Sequence, residues 1–335
     1  MRLAMIGKSF PTLIGGIEFH QTQLAAELRH LGHEVEEFAQ LPSRISSATT
    51  FDWVVYEGIH RRNLLIGTIL KPFPAKRTAV FTHGSFYETG HIAELRRIGY
   101  PYSPMSFWSR RLFDTFLMPT ILGGTNLIIT LAPQESTDIM NLFTGLSTPI
   151  ESLPNFWAGP ASDSPEPVVP ELSSFKPYIV AVSRVDPRKN LAAVVQAIDG
   201  LRVNLVLAGP DGGALPSLTR EVARLGSSNF RYLGPVDEVT KRSLIENSSA
   251  LILPSFFEGA SFAALEALAM GKPVISTSRS YLGEMSRVFL CSPEPGSIRT
   301  TIEHVLNLKE LPVAPKVPSA NETAVTFLKL LDAAE

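Results

Sequence analysis

Short apolar runs alternate with longer helical patterns along this chain, and this alternation constrains the fold more than any other feature. In the first half, runs typical of buried strands lie at residues 3–6, 35–38, 53–56, 79–82 and 127–131. Apolar residues at helical spacing lie between them, at 19–31, 61–70, 104–121 and 133–144. Such β-α-β alternation predicts a doubly wound α/β fold, a parallel sheet with helices on both faces.

A proline-rich stretch interrupts the pattern. Residues 154–177 hold six prolines together with serines and acidic residues, a composition typical of a linker. The alternation then restarts, with strands predicted at 178–182, 205–208, 230–233, 250–253 and 273–276 and helices at 188–199, 214–226, 237–247, 261–270, 297–308 and 321–333. We therefore expect two Rossmann-like domains that face a cleft. The N-terminal domain covers 1–155, a linker covers 156–176 and the C-terminal domain covers 177–318. A last helix, 319–335, is expected to pack back on the first domain.

Composition excludes several classes of protein. The chain has 335 residues, of which 44% are hydrophobic and 19% charged, so it is neither disordered nor fibrous. Its net charge is −2 and neither half is strongly basic, which argues against nucleic-acid binding. The single cysteine, Cys291, excludes an internal disulfide and a cysteine-rich zinc site. The chain has no run of about 18 apolar residues and no signal-peptide core, so we expect a cytoplasmic protein.

The most informative segment is PSFFEGASFAALEALAMGKPVI, residues 254–275, which carries two acids. Glu258 lies in a loop after a predicted strand, and Glu266 lies in the helix that follows, which Ser261 can cap. Backbone N–H groups at this helix start suit an anion, and they belong to Gly259, Ala260, Ser261 and Phe262. The arrangement predicts a ligand with hydroxyls on both sides of a diphosphate, which is the layout of a nucleotide diphosphate sugar.

The two acids also have a purely structural interpretation. An acid near a helix start is often only a partner of the helix dipole, so Glu258 alone is weak support for a ligand site. Glu266 is more informative, because an unpaired carboxylate in an apolar helix is costly to bury. On spacing alone, the ligand site and the structural interpretation are equally supported.

The same segment resembles the E-x7-E signature of retaining glycosyltransferase family 4, whose members have the GT-B fold. AVSRVDPRKN (181–190), LVLAGPDGG (205–213) and RYLGPVDEVTKRSLIENSSALILPS (231–255) resemble other parts of that family, as do the Gly15-Gly16 loop and the helix ending LGHEV. The resemblance spans nearly the whole chain. It implies a retaining transferase that moves a sugar from a nucleotide diphosphate sugar to a saccharide or a lipid-linked glycan, with no required cofactor.

The resemblance also assigns roles to single residues. Arg184 and Lys189, at a predicted helix start, would neutralise the diphosphate that leaves, while Glu258 would orient sugar hydroxyls. Solvated surface cations are the alternative interpretation of the two basic residues. His83, after the strand at 79–82, would line the cleft near the transferred sugar, although a lone histidine more often only ends a strand. The other histidines show no metal-ligand spacing and no DxD pair occurs, so no metal site is expected.

Glycine turns supply weaker candidates for donor binding. Gly15 and Gly16 can let the backbone approach a phosphate or the acceptor, or can form a plain turn. Their loop has neither GxGxxG nor GxxxxGK[ST], so dinucleotide dehydrogenases and P-loop proteins gain no support. Further candidates for nucleotide contacts are Gly209, Asp211 and the backbone of Val236.

Some questions stay open. The segment 86–111 is rich in aromatics and arginines and could contact the acceptor or a membrane surface, but its imperfect periodicity favours an ordinary helix face. Ala260 and Ser261 stand where the family often has Phe and Gly, which leaves the donor sugar undetermined. A non-catalytic nucleotide-sugar-binding protein and another GT-B enzyme, such as an epimerase or a phosphorylase, are the rival functions.

Overall fold

The computed structural model describes residues 1–7, 16–42, 50–59, 61–70, 73–84, 112–157, 159, 170–280, 282 and 285–334. These residues form two compact units. The first unit contains the described residues up to 157 and those from 318 onward, and the second contains those from 159 to 317. Each unit is built on a sheet of six described strands.

The first unit carries a parallel sheet in the order β2-β1-β3-β4-β5-β6. Its strands are β1 (Arg2–Ile6), β2 (Glu34–Phe38), β3 (Phe51–Glu57), β4 (Ala75–Phe81), β5 (Leu127–Thr130) and β6 (Ile150–Ser152). Its helices are α1 (Gly16–His30), α2 (Arg61–Leu64), α3 (Met118–Gly123) and α4 (Pro133–Leu142), with π-helices at Leu65–Leu70 and Phe113–Leu117. Strands such as β1 and β3 are buried along nearly their whole length, which explains why their sequences are continuous apolar runs.

The second unit carries a parallel sheet in the order β12-β11-β10-β7-β8-β9. Its strands are β7 (Tyr178–Val182), β8 (Asn204–Ala208), β9 (Phe230–Gly234), β10 (Ala250–Leu253), β11 (Val274–Thr277) and β12 (Val288–Cys291). Its helices are α5 (Leu191–Ile198), α6 (Leu215–Leu225), α7 (Glu238–Glu246), α8 (Phe262–Ala269) and α9 (Pro295–Leu306), with 3-10 helices at Pro170–Phe175 and Pro187–Lys189.

The strand order of the second sheet reverses between β7 and β10. The chain runs outward from β7 through β8 to β9 on one side, and from β10 through β11 to β12 on the other. Open α/β sheets bind ligands beyond the carboxyl ends of the strands at such a reversal. The loops that follow β7 and β10 are therefore where a ligand of this unit is expected.

The last helix, α10 (Ala320–Ala333), belongs to the first unit. A capping box starts it, since Ser319 and Glu322 bond each other's backbone N–H groups. Phe327 and Leu331 are fully buried, and the Asn321 amide donates to Glu27 of α1 at 3.2 Å. The chain thus returns to its first unit after completing the second.

The predicted doubly wound architecture is confirmed, with local differences. β6 and β12 were not predicted; β6 has only three residues at a sheet edge and so shows no apolar run. The helix predicted at 61–70 is α-helical for four residues and then π-helical. The segment 86–111 lies outside the described residues. Among the described helices, none has both the length and the apolarity needed to cross a membrane.

Candidate functional site

The loops after β7 and β10 are bonded to each other at the strand reversal. The N–H of Phe256 donates to the carbonyl of Arg188 at 2.8 Å. The side-chain amide of Asn190 donates to the carbonyl of Pro254 at 3.2 Å and to that of Pro293 at 2.7 Å. The bonds from Phe256 to Arg188 and from Asn190 to Pro254 fix the two loops as one surface, on which side chains from either loop can act on the same ligand, while the bond to Pro293 ties Asn190 to the segment after β12.

Lys189 and Glu258 form an ion pair across this surface. The Nζ of Lys189 donates to Oε2 of Glu258, and the Ser255 hydroxyl donates to the same oxygen at 3.3 Å. The two charged side chains are 11% and 18% exposed, so water screens the pair only in part. An ammonium group has three donors, so Lys189 can hold Glu258 and still bind an anion.

The other two cations of the β7 loop differ in their surroundings. Arg188 is held by Asp186, whose carboxylate accepts bonds from its backbone N–H at 2.9 Å and its guanidinium at 3.1 Å. Arg184 is exposed, and within the described residues its guanidinium has no hydrogen bond or ion pair. A Cβ added at Gly212 would lie 2.7 Å from the Arg184 stem, so that stem crosses the glycine. Arg184 is therefore available to a ligand anion, whereas Arg188 shapes the loop.

Gly209 and Asp211 shape the neighbouring turn after β8. Gly209 has φ 137°, and a Cβ there would lie 2.0 Å from the carbonyl oxygen of Ser183, so only glycine fits. The Asp211 carboxylate accepts the N–H groups of Gly213 and Leu215 at 2.8 and 3.1 Å. Both residues hold the turn beside Arg184, and their contact with a nucleotide stays a prediction.

Glu266 is buried in α8, with one carboxylate oxygen satisfied and one not. Oε1 accepts a bond from Lys241 at 2.8 Å, while Oε2 is buried and has no hydrogen-bond partner within the described residues. Burial raises the pKa of Glu266 above its ordinary value, although Lys241 opposes that shift. A buried acceptor without a partner is costly and suits a ligand hydroxyl.

Lys241, on α7, is a site residue that sequence reasoning missed. Its ammonium bridges Glu266 and Glu238, at 2.8 and 2.5 Å. Burial opposes its charge, yet the two carboxylates together raise its pKa. No short spacing links Lys241 to Glu266, because the two lie on different helices; only the packing of α7 against α8 brings them together.

The start of α8 carries the residues predicted to bind an anion. Gly259, Ala260 and Ser261 precede Phe262, the first residue of the helix. Ser261 occupies the N-cap position, but its hydroxyl makes no capping bond, contrary to expectation. Val236, predicted to contact the base, lies half-buried between β9 and α7.

In the first unit, His83 follows β4 with a left-handed backbone, φ 50°. Its imidazole is 4% exposed, stacks on Phe81 at 4.2 Å and shares a 2.5 Å hydrogen bond with Glu57. Burial lowers the pKa of His83, although Glu57 opposes the shift. The side chain thus points into the first unit.

Gly16 is the first residue of α1, and Gly15 lies outside the described residues.

Glu135, another residue that the sequence did not single out, anchors the turn around His83. Its Oε1 accepts bonds from the Thr82 hydroxyl and the Gly84 N–H, both at 2.6 Å, and its Oε2 accepts the Leu131 N–H at 2.7 Å. Burial raises the pKa of Glu135, and the three bonds counteract this shift. The turn after β4 is therefore tied to the start of α4.

His20, Glu57 and His83 form a cluster whose nitrogen and oxygen donor atoms lie within 4.8 Å of one another. Burial alone would raise the pKa of Glu57, but the two imidazoles lower it to about 2. Sequence spacing could not reveal the cluster, because α1, β3 and the turn after β4 each supply one residue. The only signal was Glu57 itself, an acid that ends an apolar strand.

Two doubly wound units, with loop cations and acids at a strand reversal, define a protein of the GT-B fold. HepE of Anabaena, solved in complex with UDP and glucose, superposes with a TM-score of 0.74 at 15% identity, over 99% of this chain and 100% of that one. Residues 176–308, which belong to the second unit, match the model of the family Glycosyl transferases group 1, so this unit is similar to members of that family.

Two curated proteins that this chain resembles are sugar transferases. The O-antigen chain mannosyltransferase B of Escherichia coli is 26% identical over 200 residues, which cover 55% of this chain and 52% of that protein. The D-rhamnosyltransferase WbpZ of Pseudomonas aeruginosa is 30% identical over 135 residues, 37% of this chain and 35% of that protein. The matched part of this chain thus spans about half of the first relative's length and about a third of the second's.

Proposed function

We propose that this chain is a retaining glycosyltransferase that takes a hexose from a nucleoside diphosphate sugar and transfers it to a saccharide or lipid-linked glycan. The observation that carries the proposal is the bonded surface after β7 and β10, where Lys189, Arg184 and Glu258 lie at the strand reversal. The names of the relatives support a hexose or deoxyhexose donor and a polysaccharide acceptor.

The charges suit the departure of a diphosphate. When the bond to the anomeric carbon breaks, negative charge develops on the β-phosphate, and Arg184 and Lys189 supply two positive charges in a fixed loop. The N–H groups at the start of α8 add the positive end of a helix dipole. With these charges present, we propose that transfer itself requires no metal ion.

The two acids suit the hydroxyls on either side of the diphosphate. Glu258, held by Lys189 and Ser255, would accept bonds from the transferred sugar. The unsatisfied Oε2 of Glu266 would accept a ribose hydroxyl. Both interactions position the donor, and no protein nucleophile is required for a reaction on one face of the sugar.

Donor binding and product stereochemistry test the proposal together. Calorimetry with UDP, GDP and ADP should show micromolar binding of at least one nucleotide, and the Glu266→Ala variant should bind it far more weakly. Incubation of the matching sugar donor with glycan acceptors, followed by NMR of the product, should show the donor's anomeric configuration. An inverted product would refute retention, and no affinity for any nucleotide would refute the donor site.

A further inference from the structure

Two imidazoles and one carboxylate converge inside the first unit, whereas the residues of the proposed donor site belong to the second. His20 lies on α1, Glu57 is the last residue of β3, and His83 follows β4. Their side chains are 0%, 0% and 4% exposed. The distance from Glu57 Oε2 to His20 Nδ1 is 3.3 Å, and that to His83 Nε2 is 2.5 Å.

Among the described residues, no lysine or arginine forms an ion pair with Glu57. Within the described residues, its ion-pair contacts are the two histidines alone, and its second oxygen, Oε1, is buried without a hydrogen-bond partner. The rings of Phe81 and Phe156 pack against His20 at 4.7 and 5.4 Å, which keeps the surroundings apolar. An ionised carboxylate in such a place needs a positive charge close by.

We propose that His20, Glu57 and His83 bind a divalent transition-metal ion of the zinc type. Imidazole nitrogen and carboxylate oxygen are ordinary zinc ligands, and two nitrogens with one oxygen of Glu57 supply three ligands of a tetrahedral site whose fourth position a water molecule would take. The ion would fasten α1 to the carboxyl ends of β3 and β4 and balance the buried charge. This site stands independently of the proposed transferase activity.

The two distances between Glu57 and the imidazoles require only a small adjustment. Ligands about 2.0–2.2 Å from a tetrahedral zinc ion lie roughly 3.3 Å from each other. The His20–Glu57 distance is already 3.3 Å, and the His83–Glu57 distance of 2.5 Å must open by roughly 0.8 Å. The proton that His83 Nε2 shares with Glu57 would leave to solvent as the metal–nitrogen bond forms.

Zinc titration of the full-length, tag-free protein tests the site. After treatment with a chelator and desalting, the protein should take up one Zn²⁺ per chain by elemental analysis, with a rise of several degrees in Tm. Co²⁺ in place of zinc should give the intense visible absorption of a tetrahedral ion. Folded wild-type protein that retains no zinc after desalting would overturn the proposal, and the cluster would then be held by hydrogen bonds alone.

Variants locate the ion. Glu57→Gln and His83→Gln should each lose stoichiometric zinc and the cobalt absorption, whereas His30→Gln, at the exposed end of α1, should keep both. Equal zinc uptake by wild type, Glu57→Gln and His83→Gln would place the ion elsewhere and refute the assignment. If Glu57→Gln fails to fold by circular dichroism, His83→Gln and the wild-type spectrum decide the question.

Discussion

At the scale of single residues, the ion pair between Lys189 and Glu258 joins two loops that lie far apart in sequence. We expect Lys189→Ala to lower turnover by about 10²-fold or more, because one of the charges facing the departing diphosphate is lost. Steady-state kinetics measures the effect, and circular dichroism should show an unchanged fold. Lys309→Ala, an exposed lysine of the same unit, is the control and should keep full turnover.

Substitution of Glu266 should change both the affinity for the nucleotide and the stability of the fold. In Glu266→Gln, we expect nucleotide affinity to fall by about 10- to 100-fold, since a hydrogen bond to a charged acceptor is lost. Calorimetry at neutral pH measures this change. An unaltered dissociation constant would remove Glu266 from the donor site.

The same variant should show a pH-dependent gain in stability. Burial raises the folded-state pKa of Glu266, so its ionisation opposes folding. Below the unfolded-state pKa, Glu266 is protonated in both the folded and the unfolded state, and its ionisation costs no stability. As the pH rises through the folded-state pKa, the wild type loses the stability that depends on the protonated acid. The Tm of Glu266→Gln relative to wild type should therefore increase as the pH rises above the ordinary pKa of a glutamate. A Tm difference that is constant with pH would contradict this.

At the scale of elements, the turn after β8 depends on one glycine. Gly209→Ala places a Cβ 2.0 Å from the Ser183 carbonyl in a left-handed backbone, so the ends of β7 and β8 must separate. We expect a loss of about 2–5 kcal/mol in unfolding free energy, from combined backbone strain and overpacking. Urea denaturation measures it.

Gly226→Ala is the matched control for this prediction. Gly226 also has a positive φ, 63°, but a Cβ there meets nothing within 4 Å. Its substitution should therefore cost only the backbone term, about 1 kcal/mol. Equal losses at the two glycines would show that the contact with Ser183 is unimportant.

Elements with a strong local pattern could be predicted from sequence, and long-range pairings could not. The apolar run of β3 and the periodicity of α1 indicated these elements because each is encoded within its own residues. The ion pair of Lys189 with Glu258 was not predicted, although both residues were chosen as candidates. The contacts of Lys241 and of Glu57 depend on how helices and strands pack within each unit, so no spacing in the sequence reveals them.

At the scale of the whole molecule, the last helix, α10, stabilises the first unit. Phe327 is fully buried in that unit, so Phe327→Ala should lower its stability by about 3–5 kcal/mol. Hydrogen exchange followed by mass spectrometry should show faster exchange in α1 and β1, with β7 and β8 unaffected. Val313→Ala, 85% exposed, should change neither. Faster exchange confined to the second unit would contradict the assignment of α10.

The return of the chain after residue 317 imposes an order on biosynthesis. During translation, the surface of α1 that seats α10 stays uncovered until residues 320–333 have left the ribosome. The whole second unit is synthesised before α10. The apolar surface of the first unit therefore stays exposed for longer than the synthesis of that unit alone would take. If translation stopped before residue 320, the chain would lack α10 and the apolar surface of α1 would stay exposed, even though every earlier codon had been read correctly.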